Sequence, residues 1–250
     1  MKKIKNGFFI TVEGIDGSGK SSVVNFLSSA LSDLAFDVIK TREPGGTWLG
    51  AALREIIIAG GGAGARAVGP LGLANVAEQS QQQEASGITN NACVISGIAE
   101  FLLFAADRAQ HVYSLINPGL ANGSIVISDR GSDSSLAYQG YGKGLDLEMI
   151  SSVNSWVVGT TKPDLVIYLK LDYKTAIKRV IDRGEKITAF EKKGQEFFDK
   201  VINGFNQIFY LRSQEVPDSI MEIDASQSAD DVKKEVLEKV LQIIMRKECT

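Results

Sequence analysis

The sequence predicts an α/β fold in which five parallel strands form one sheet with helices on both faces. Two observations predict it: short apolar runs rich in β-branched residues recur along the 250-residue chain, and segments with helical periodicity separate them. The runs are continuous rather than alternating, which is typical of strands covered on both faces. Such a fold has right-handed crossovers and binds ligands beyond the carboxyl ends of its strands.

The patterns place the individual elements. Strands are expected at 7–12, 36–41, 124–128, 164–170 and 219–223. Apolar residues three to four positions apart predict helices at 20–34, 98–116, 146–158, 173–183, 195–213 and 229–246. The segment at about 59–97 breaks the alternation with a Gly/Ala tract and a Gln-rich run, a composition that buries too little apolar surface to fold alone. We therefore expect one domain, spanning 1–250, with an exposed and poorly ordered insertion that carries no catalytic residue.

Composition excludes several classes of protein. Lys and Arg number 27 against 30 Asp and Glu, which is too balanced for a protein that grips a nucleic acid polymer by its phosphates. Cys93 and Cys249 lie far apart, which suits a reducing compartment and offers no metal framework, and His111 is the one histidine. No run approaches the roughly 18 apolar residues of a membrane span. The expectation is a cytoplasmic protein with no membrane or nucleic acid partner.

The strongest motif is a complete GxxxxGKS placed between the first strand and the first helix. In such a loop, backbone N–H groups and the helix N-terminus bind phosphate oxygens, Lys20 reaches the outer phosphates and Ser21 ligates Mg²⁺. A tight turn without a ligand would explain neither the Lys-Ser pair nor its position. The sequence therefore predicts a P-loop NTPase fold that binds ATP and Mg²⁺. The ATP-binding residues are expected to be Gly14, Ile15, Asp16, Gly17, Ser18, Gly19, Lys20 and Ser21.

Charged residues also follow two other strands. Asp129 leaves the third strand beside the P-loop, where a carboxylate can hold Mg²⁺ through water, and Arg130 after it can meet a second phosphate. Arg42 follows the second strand in a turn that contains Pro44 and two glycines. Each feature alone is also explained by a surface ion pair or a turn. Beside a P-loop, phosphate and metal binding is the favoured interpretation.

Phe104 and Arg108 are four residues apart on the helix at 98–116 and so project from one face. A ring and a guanidinium fork side by side suit a planar base, which stacks on the ring while its edge accepts hydrogen bonds. Alternatively, Phe104 belongs to the core and Arg108 is solvated.

Five motifs together resemble the thymidylate kinase family, which phosphorylates dTMP. They are the P-loop, 41–47 (TREPGGT), 104–110 (FAADRAQ), Asp129-Arg130 and 134–140 (SSLAYQG), and the resemblance covers about 7–58 and 98–225. It implies that a homodimeric enzyme transfers the γ-phosphoryl group of ATP to dTMP, for dTTP synthesis. Two alternatives stay open: a kinase for another nucleotide or nucleoside, and an ATP-binding P-loop protein without turnover.

The resemblance also implies roles in the dTMP site. Phe104 would stack on thymine, Arg108 would bond to its carbonyl edge and Ser135 would lie against the base. Tyr138 would sit under the deoxyribose and leave no room for a 2′-hydroxyl. Arg42 and Arg130 would hold the acceptor phosphate close to Asp16, and Pro44 would follow a cis peptide bond.

A helical lid at about 178–194 is the last feature that the resemblance implies. Arg179, Arg183 and Lys186 would act there because the P-loop has no arginine, although a solvated helix face also explains them. Two departures from the family pattern are Gly131, where an aromatic residue or His is usual, and a missing arginine beyond Lys186. The expected catalytic residues are Lys20, Arg42, Arg130, Asp16, Arg179 and Arg183, with Ser21 and Asp129 as metal ligands.

Overall fold

A computed structural model describes residues 1–59, 95–184 and 193–248. Nearly all of the expected insertion at 59–97 lies outside the described residues, as does the part of the expected lid at 185–192. In the described part of the chain, no helix has both the length and the apolar character needed to cross a membrane.

Within the described ranges, five parallel strands form one sheet in the order β2-β3-β1-β4-β5. The strands are β1 (Phe8–Glu13), β2 (Val38–Arg42), β3 (Ile125–Asp129), β4 (Leu165–Lys170) and β5 (Ile220–Asp224). β1 is central, since Thr11 lies opposite Ser128 of β3 on one side and Val166 of β4 on the other. The predicted fold class is confirmed, and each predicted strand end is within two residues of the observed one.

Helices connect the strands and cover both faces of the sheet. They are α1 (Lys20–Asp33), α2 (Trp48–Ala59), α3 (Gly97–His111), α4 (Asn117–Ala121), α5 (Ser132–Ser135), α6 (Leu147–Val158), α7 (Tyr173–Asp182), α8 (Gly194–Glu215) and α9 (Ala229–Glu248). A π-helical turn at Val112–Ile116 joins α3 to α4, and another at Leu136–Gly142 continues α5. The sequence patterns missed α2, α4 and the helical segment at 132–142, whereas the six predicted helices are all present.

The alternation of side chains along β1 divides the core. Phe8, Ile10 and Val12 belong to the larger apolar cluster, which includes residues of α1 and α9. Phe9 belongs to a smaller cluster with Val112 on the opposite face. Full burial of such a side chain contributes about 1.5–3 kcal/mol to stability, so the sheet is a rigid support for the loops at its carboxyl edge.

Three strands deliver their last residues to that edge. Arg42 of β2 and Val12 of β1 both lie opposite Asp129 of β3. The Arg130 N–H donates to the Val12 carbonyl (3.0 Å) and the Glu43 N–H donates to the Asp129 carbonyl (2.9 Å). The P-loop, Arg42 and Asp129-Arg130, which are far apart in sequence, therefore meet at one edge of the sheet.

Candidate active site

The P-loop leaves β1 and runs directly into α1. Gly14, Gly17 and Gly19 all have positive φ angles (141°, 86° and 94°), which residues with a side chain adopt at a cost. A Cβ at Gly17 would also overlap the Ala176 carbonyl of α7, so the loop is packed closely against that helix. Gly19 provides no side-chain cap for α1. The first N–H groups of α1 are thus left to an anion.

Lys20 lies across its own loop. Its side chain is buried, and Nζ donates to the Ile15 carbonyl at 2.8 Å and lies 3.7 Å from Asp16 Oδ1. Burial, followed by the positive charge of Arg130, lowers the pKa of Lys20 to about 8. A phosphate beside Nζ would favour the charged form of the amine.

Ser21 and Asp129, the two predicted metal ligands, are in contact. The Ser21 hydroxyl donates to Asp129 Oδ2 at 2.6 Å, across the gap between the start of α1 and the end of β3. No cluster of three or more His, Cys, Asp or Glu residues suited to a metal occurs in the described ranges. A pair of oxygen ligands fits Mg²⁺, which usually keeps several waters and takes its other ligands from substrate phosphates.

Arg130 connects the P-loop to the expected acceptor site. Nη2 donates to Asp16 Oδ1 (2.5 Å) and Nη1 donates to the Gly14 carbonyl (3.0 Å) and to Ser134 Oγ (3.1 Å). The guanidinium also lies 5.1 Å above the Tyr138 ring, and Nη2 is 3.4 Å from the Tyr138 hydroxyl. Although burial opposes ionisation of Asp16, Arg130 and then Lys20 lower the pKa of its carboxyl. The structure thus brings together Asp16, Arg130 and Tyr138.

Arg54 of α2 is a site residue that the sequence patterns missed. Its Nη1 donates to the Pro44 carbonyl (3.0 Å), and a Cβ on Gly45 would lie 3.1 Å from Arg54 Cδ and 3.5 Å from Arg42 Nε. Burial and then the positive charges of Arg42 and Arg130 lower the pKa of Arg54. Arg42, Arg54 and Arg130 are therefore close enough to form one positively charged region. The helical spacing of apolar residues in α2, directly after the 41–47 motif, was the signal that could have found it.

Arg108 is buried, so the alternative of a solvated side chain is wrong. Its Nε donates to Glu43 Oε2 (2.8 Å), Nη1 donates to Asn154 Oδ1 (2.8 Å), and Nη2 donates to the Gly131 carbonyl (3.2 Å) and Ser135 Oγ (3.1 Å). Arg108 and Ser135, both expected at the base, are thus in contact. Phe104 is half-buried one turn earlier on α3.

His111 belongs to a buried network around Glu43. Its Nδ1 lies 3.0 Å from Glu43 Oε1 and its Nε2 lies 2.7 Å from Thr41 Oγ1. Burial opposes ionisation of Glu43, but Arg108 and then His111 lower the pKa of its carboxyl. The peptide bond between Glu43 and Pro44 is cis, as expected. The sequence patterns assigned no role to Glu43 or Asn154, because the residues to which they are hydrogen-bonded are distant in sequence.

Tyr138 packs its ring edge-on against Phe197, Phe198 and Phe205 of α8, with centroids 6.2–6.4 Å apart. Burial raises the pKa of Tyr138 well above its ordinary value. Its hydroxyl therefore stays protonated and its ring is held rigidly.

The expected lid cations lie on the other side of the P-loop. Arg179 Nη1 donates to the Ala225 carbonyl after β5 (2.8 Å), and Arg183 Nε donates to the Arg179 carbonyl (3.2 Å) at the end of α7. Lys186 is outside the described residues. The catalytic roles of Arg179 and Arg183 stay predictions.

A P-loop at the carboxyl edge of a parallel sheet, with an acid–hydroxyl pair beside it, defines the class of P-loop nucleotide-binding proteins. The comparisons with known proteins narrow that class. A family model described as thymidylate kinase matches residues 12–96 and 88–236. The thymidylate kinase of Halothermothrix orenii is 35% identical over 239 residues, with 94% of this chain and 96% of the relative covered. That of Thermosipho africanus is 36% identical over 237 residues, with 94% and 99% covered.

The solved structures agree. The crystal structure of thymidylate kinase from Ehrlichia chaffeensis superposes with a TM-score of 0.63 at 30% identity, covering 94% of this chain and 98% of that chain. The chain belongs to the thymidylate kinase family, and the resemblance carried by the five motifs is confirmed.

Proposed function

We propose that the protein transfers the γ-phosphoryl group of ATP to dTMP, giving dTDP and ADP. One observation carries this proposal: the Arg130 guanidinium contacts both Asp16 of the P-loop and Tyr138 of the expected dTMP site. Phosphoryl transfer depends on holding donor and acceptor in line and on neutralising charge on the transferred group. The Arg130 guanidinium, held between the P-loop and the expected dTMP site, would both align the two substrates and neutralise this charge.

The donor half-site is the loop at 14–21. Its N–H groups and the α1 N-terminus would bind the ATP phosphates, while Lys20 would turn from the Ile15 carbonyl to the outer phosphate oxygens. Ser21 and Asp129 would hold Mg²⁺, which supplies charge neutralisation between the phosphates when bound. Because the two oxygens already contact each other, little reorganisation is needed.

The acceptor half-site lies beside it. The dTMP phosphate would bind among Arg42, Arg54 and Arg130, and its oxygen would form the new bond to phosphorus as the bond to ADP breaks. A phosphate dianion is itself the nucleophile, so no strong general base is required. In agreement, the single histidine is buried against Glu43 rather than placed beside the P-loop.

The nucleoside would be held by residues of α3 and the 132–142 helical segment. Phe104 would stack on thymine, while Arg108 and Ser135 would bond to its edge and Tyr138 would lie under the deoxyribose. The contact of Arg108 with Ser135 supports this grouping. Arg179 and Arg183 of the lid at about 178–194 would add positive charge on the donor side.

The chain would function as one domain with an insertion at 59–97. The insertion connects α2 and α3, which pack against each other and carry acceptor residues on either side of it. The two matched segments of the family model also meet inside this region, at 88–96. We therefore expect the insertion to contribute no catalytic group.

A homodimer in the cytoplasm is the expected form. Large apolar side chains are exposed on neighbouring helices, including Leu102 of α3 and Trp156 of α6, which is 84% exposed. A second copy of the chain would cover such a surface. Light scattering of the wild type and of Leu102→Arg would test it, with a monomeric wild type as the contradicting result.

The activity is tested by incubating the purified protein with ATP, Mg²⁺ and dTMP and separating the nucleotides by ion exchange. We expect dTDP and ADP in equal amounts. Lys20→Ala is the matched control and should give neither. Release of ADP without dTDP would contradict the proposal.

A further inference from the structure

We propose that Arg212 of α8 is a positioning residue for the acceptor arginine Arg130, acting through the buried carboxyls of Asp133 and Glu13. This inference rests on the proposed function, because it assigns Arg130 to the dTMP phosphate. Arg212 lies outside the five motifs that carry the family resemblance.

The first link is a bidentate ion pair. Arg212 Nη1 donates to Asp133 Oδ2 (2.7 Å) and Nη2 donates to Asp133 Oδ1 (2.5 Å). Asp133 is 1% exposed, whereas the Arg212 side chain is 28% exposed. Paired fork geometry fixes both distance and orientation, which a single lysine contact would not.

The second link connects Asp133 to Glu13: Asp133 directly precedes Ser134, whose hydroxyl donates to Glu13 Oε2 at 2.6 Å. Glu13, the last residue of β1, is fully buried, and burial followed by the negative charge of Asp133 raises the pKa of Glu13 to about 8. Without Arg212, the charge of Asp133 would be buried without its bidentate partner and next to Glu13. Breaking a buried pair by removing one partner is strongly destabilising to the local structure.

The third link connects Glu13 to Arg130. Glu13 Oε1 accepts from the Gly131 N–H (2.8 Å) and Oε2 accepts from the Ser134 hydroxyl (2.6 Å), while Ser134 Oγ accepts from Arg130 Nη1 (3.1 Å). Arg130 has a φ angle of 78°, a left-handed conformation that a residue with a side chain keeps only when its surroundings enforce it. The hydrogen bonds that Glu13 accepts from Gly131 and Ser134 hold the backbone of Arg130 in this conformation.

The same helix contacts the expected sugar site. α8 carries Arg212 near its C-terminal end and Phe198, which packs against Tyr138, near its N-terminal end. One rigid element therefore supports two separate parts of the acceptor half-site. If Arg212 only stabilised the fold, replacing it would lower the melting temperature without a selective rise in KM for dTMP.

The test compares Arg212→Met with Arg212→Lys, Asp133→Asn and the double variant Arg212→Met/Asp133→Asn in full-length protein. Wild-type dTDP formation is measured first, so that failure of the proposed function is seen separately. For Arg212→Met we expect KM for dTMP to rise about tenfold or more, with KM for ATP changed less than about twofold, since Lys20 and the α1 N-terminus, which would bind ATP, are not among the hydrogen-bond partners of Arg212 or Asp133. Arg212→Lys, which keeps the charge, should be intermediate.

The double variant separates positioning from general damage. Removing the Asp133 charge removes the unpaired carboxylate, so KM for dTMP should return to within about threefold of Asp133→Asn alone. Lys239→Met, which breaks the Glu235 ion pair on α9, is the control and should leave both KM values unchanged. An unchanged KM for dTMP in Arg212→Met, or equal increases for dTMP and ATP, would overturn the proposal. Should Arg212→Met fail to fold, the comparison of Arg212→Lys with wild type decides between the same outcomes.

Discussion

Arg130→Lys is the most informative single substitution, because it keeps the positive charge and removes the fork. The guanidinium donates to Asp16, Gly14 and Ser134 and stacks on Tyr138. A lysine ammonium on a flexible stem could not keep all of these contacts and also bind a phosphate. Losing two charge-assisted hydrogen bonds from the guanidinium to the acceptor phosphate, at about 1.5–3 kcal/mol each, would remove about 3–6 kcal/mol of transition-state stabilisation.

That loss corresponds to about 10²- to 10⁴-fold in kcat/KM for dTMP, at about 1.36 kcal/mol for each factor of ten. A coupled assay for ADP at saturating ATP measures it, with thermal melting to confirm that the variant is folded. Arg246→Lys, an exposed position on α9, is the matched control and should leave kcat/KM unchanged. A folded Arg130→Lys within about tenfold of wild type would refute the acceptor assignment.

Four further outcomes follow from the same geometry. Lys20→Ala should lower kcat at least about 100-fold with little change in melting temperature, because it removes a phosphate contact rather than core packing; a turnover near wild type would contradict this. Asp129→Asn should raise the Mg²⁺ concentration for half-maximal activity about tenfold, and an unchanged requirement would exclude Asp129 as a ligand. The pKa of Glu13 is raised from 4.5 to about 8, so the folded state holds a proton that the unfolded state releases between these values. The contribution of Glu13 to stability therefore falls as pH rises through that window. The melting temperature of wild type should fall relative to that of Glu13→Gln between about pH 5 and pH 8.5. A difference in melting temperature that stays constant over this range would contradict the raised pKa of Glu13. Deletion of 60–94 should leave kcat within about tenfold of wild type, and a folded but inactive deletion variant would show that the segment contributes to catalysis.

The fold was predictable because the three central strands, β1, β3 and β4, are buried on both faces, whereas the edge strands β2 and β5 are only partly buried. Continuous apolar runs such as 124–128 and 164–170 have no other common explanation when helical segments separate them. α2 was missed because it lies between the 41–47 turn and a Gly/Ala tract, which conceal its helical periodicity. The helical segment at 132–142 is mainly a π-helical turn, whose spacing departs from 3.6 residues per turn.

The site was predictable where a motif holds its ligand groups within a few residues. The P-loop and Asp129-Arg130 are local, and sheet topology alone places them together. Asn154 and Arg212 were not predictable, because the hydrogen-bond partners of each lie on another element, far away in sequence. Arg108 was predicted only in part. Its spacing from Phe104 on α3 indicated contact with a base, but its hydrogen bond to Glu43, which lies 65 positions away in sequence, could not be predicted.

The most direct test of the central claim is acceptor competition. Purified protein with ATP and Mg²⁺ is offered dTMP, dUMP, dCMP, dGMP and thymidine together, and the products are separated by ion exchange. The geometry predicts dTDP as the main product, with kcat/KM for dTMP at least about tenfold above every other acceptor. Phosphorylation of another acceptor in preference to dTMP, or hydrolysis of ATP with no dTDP formed, would contradict it.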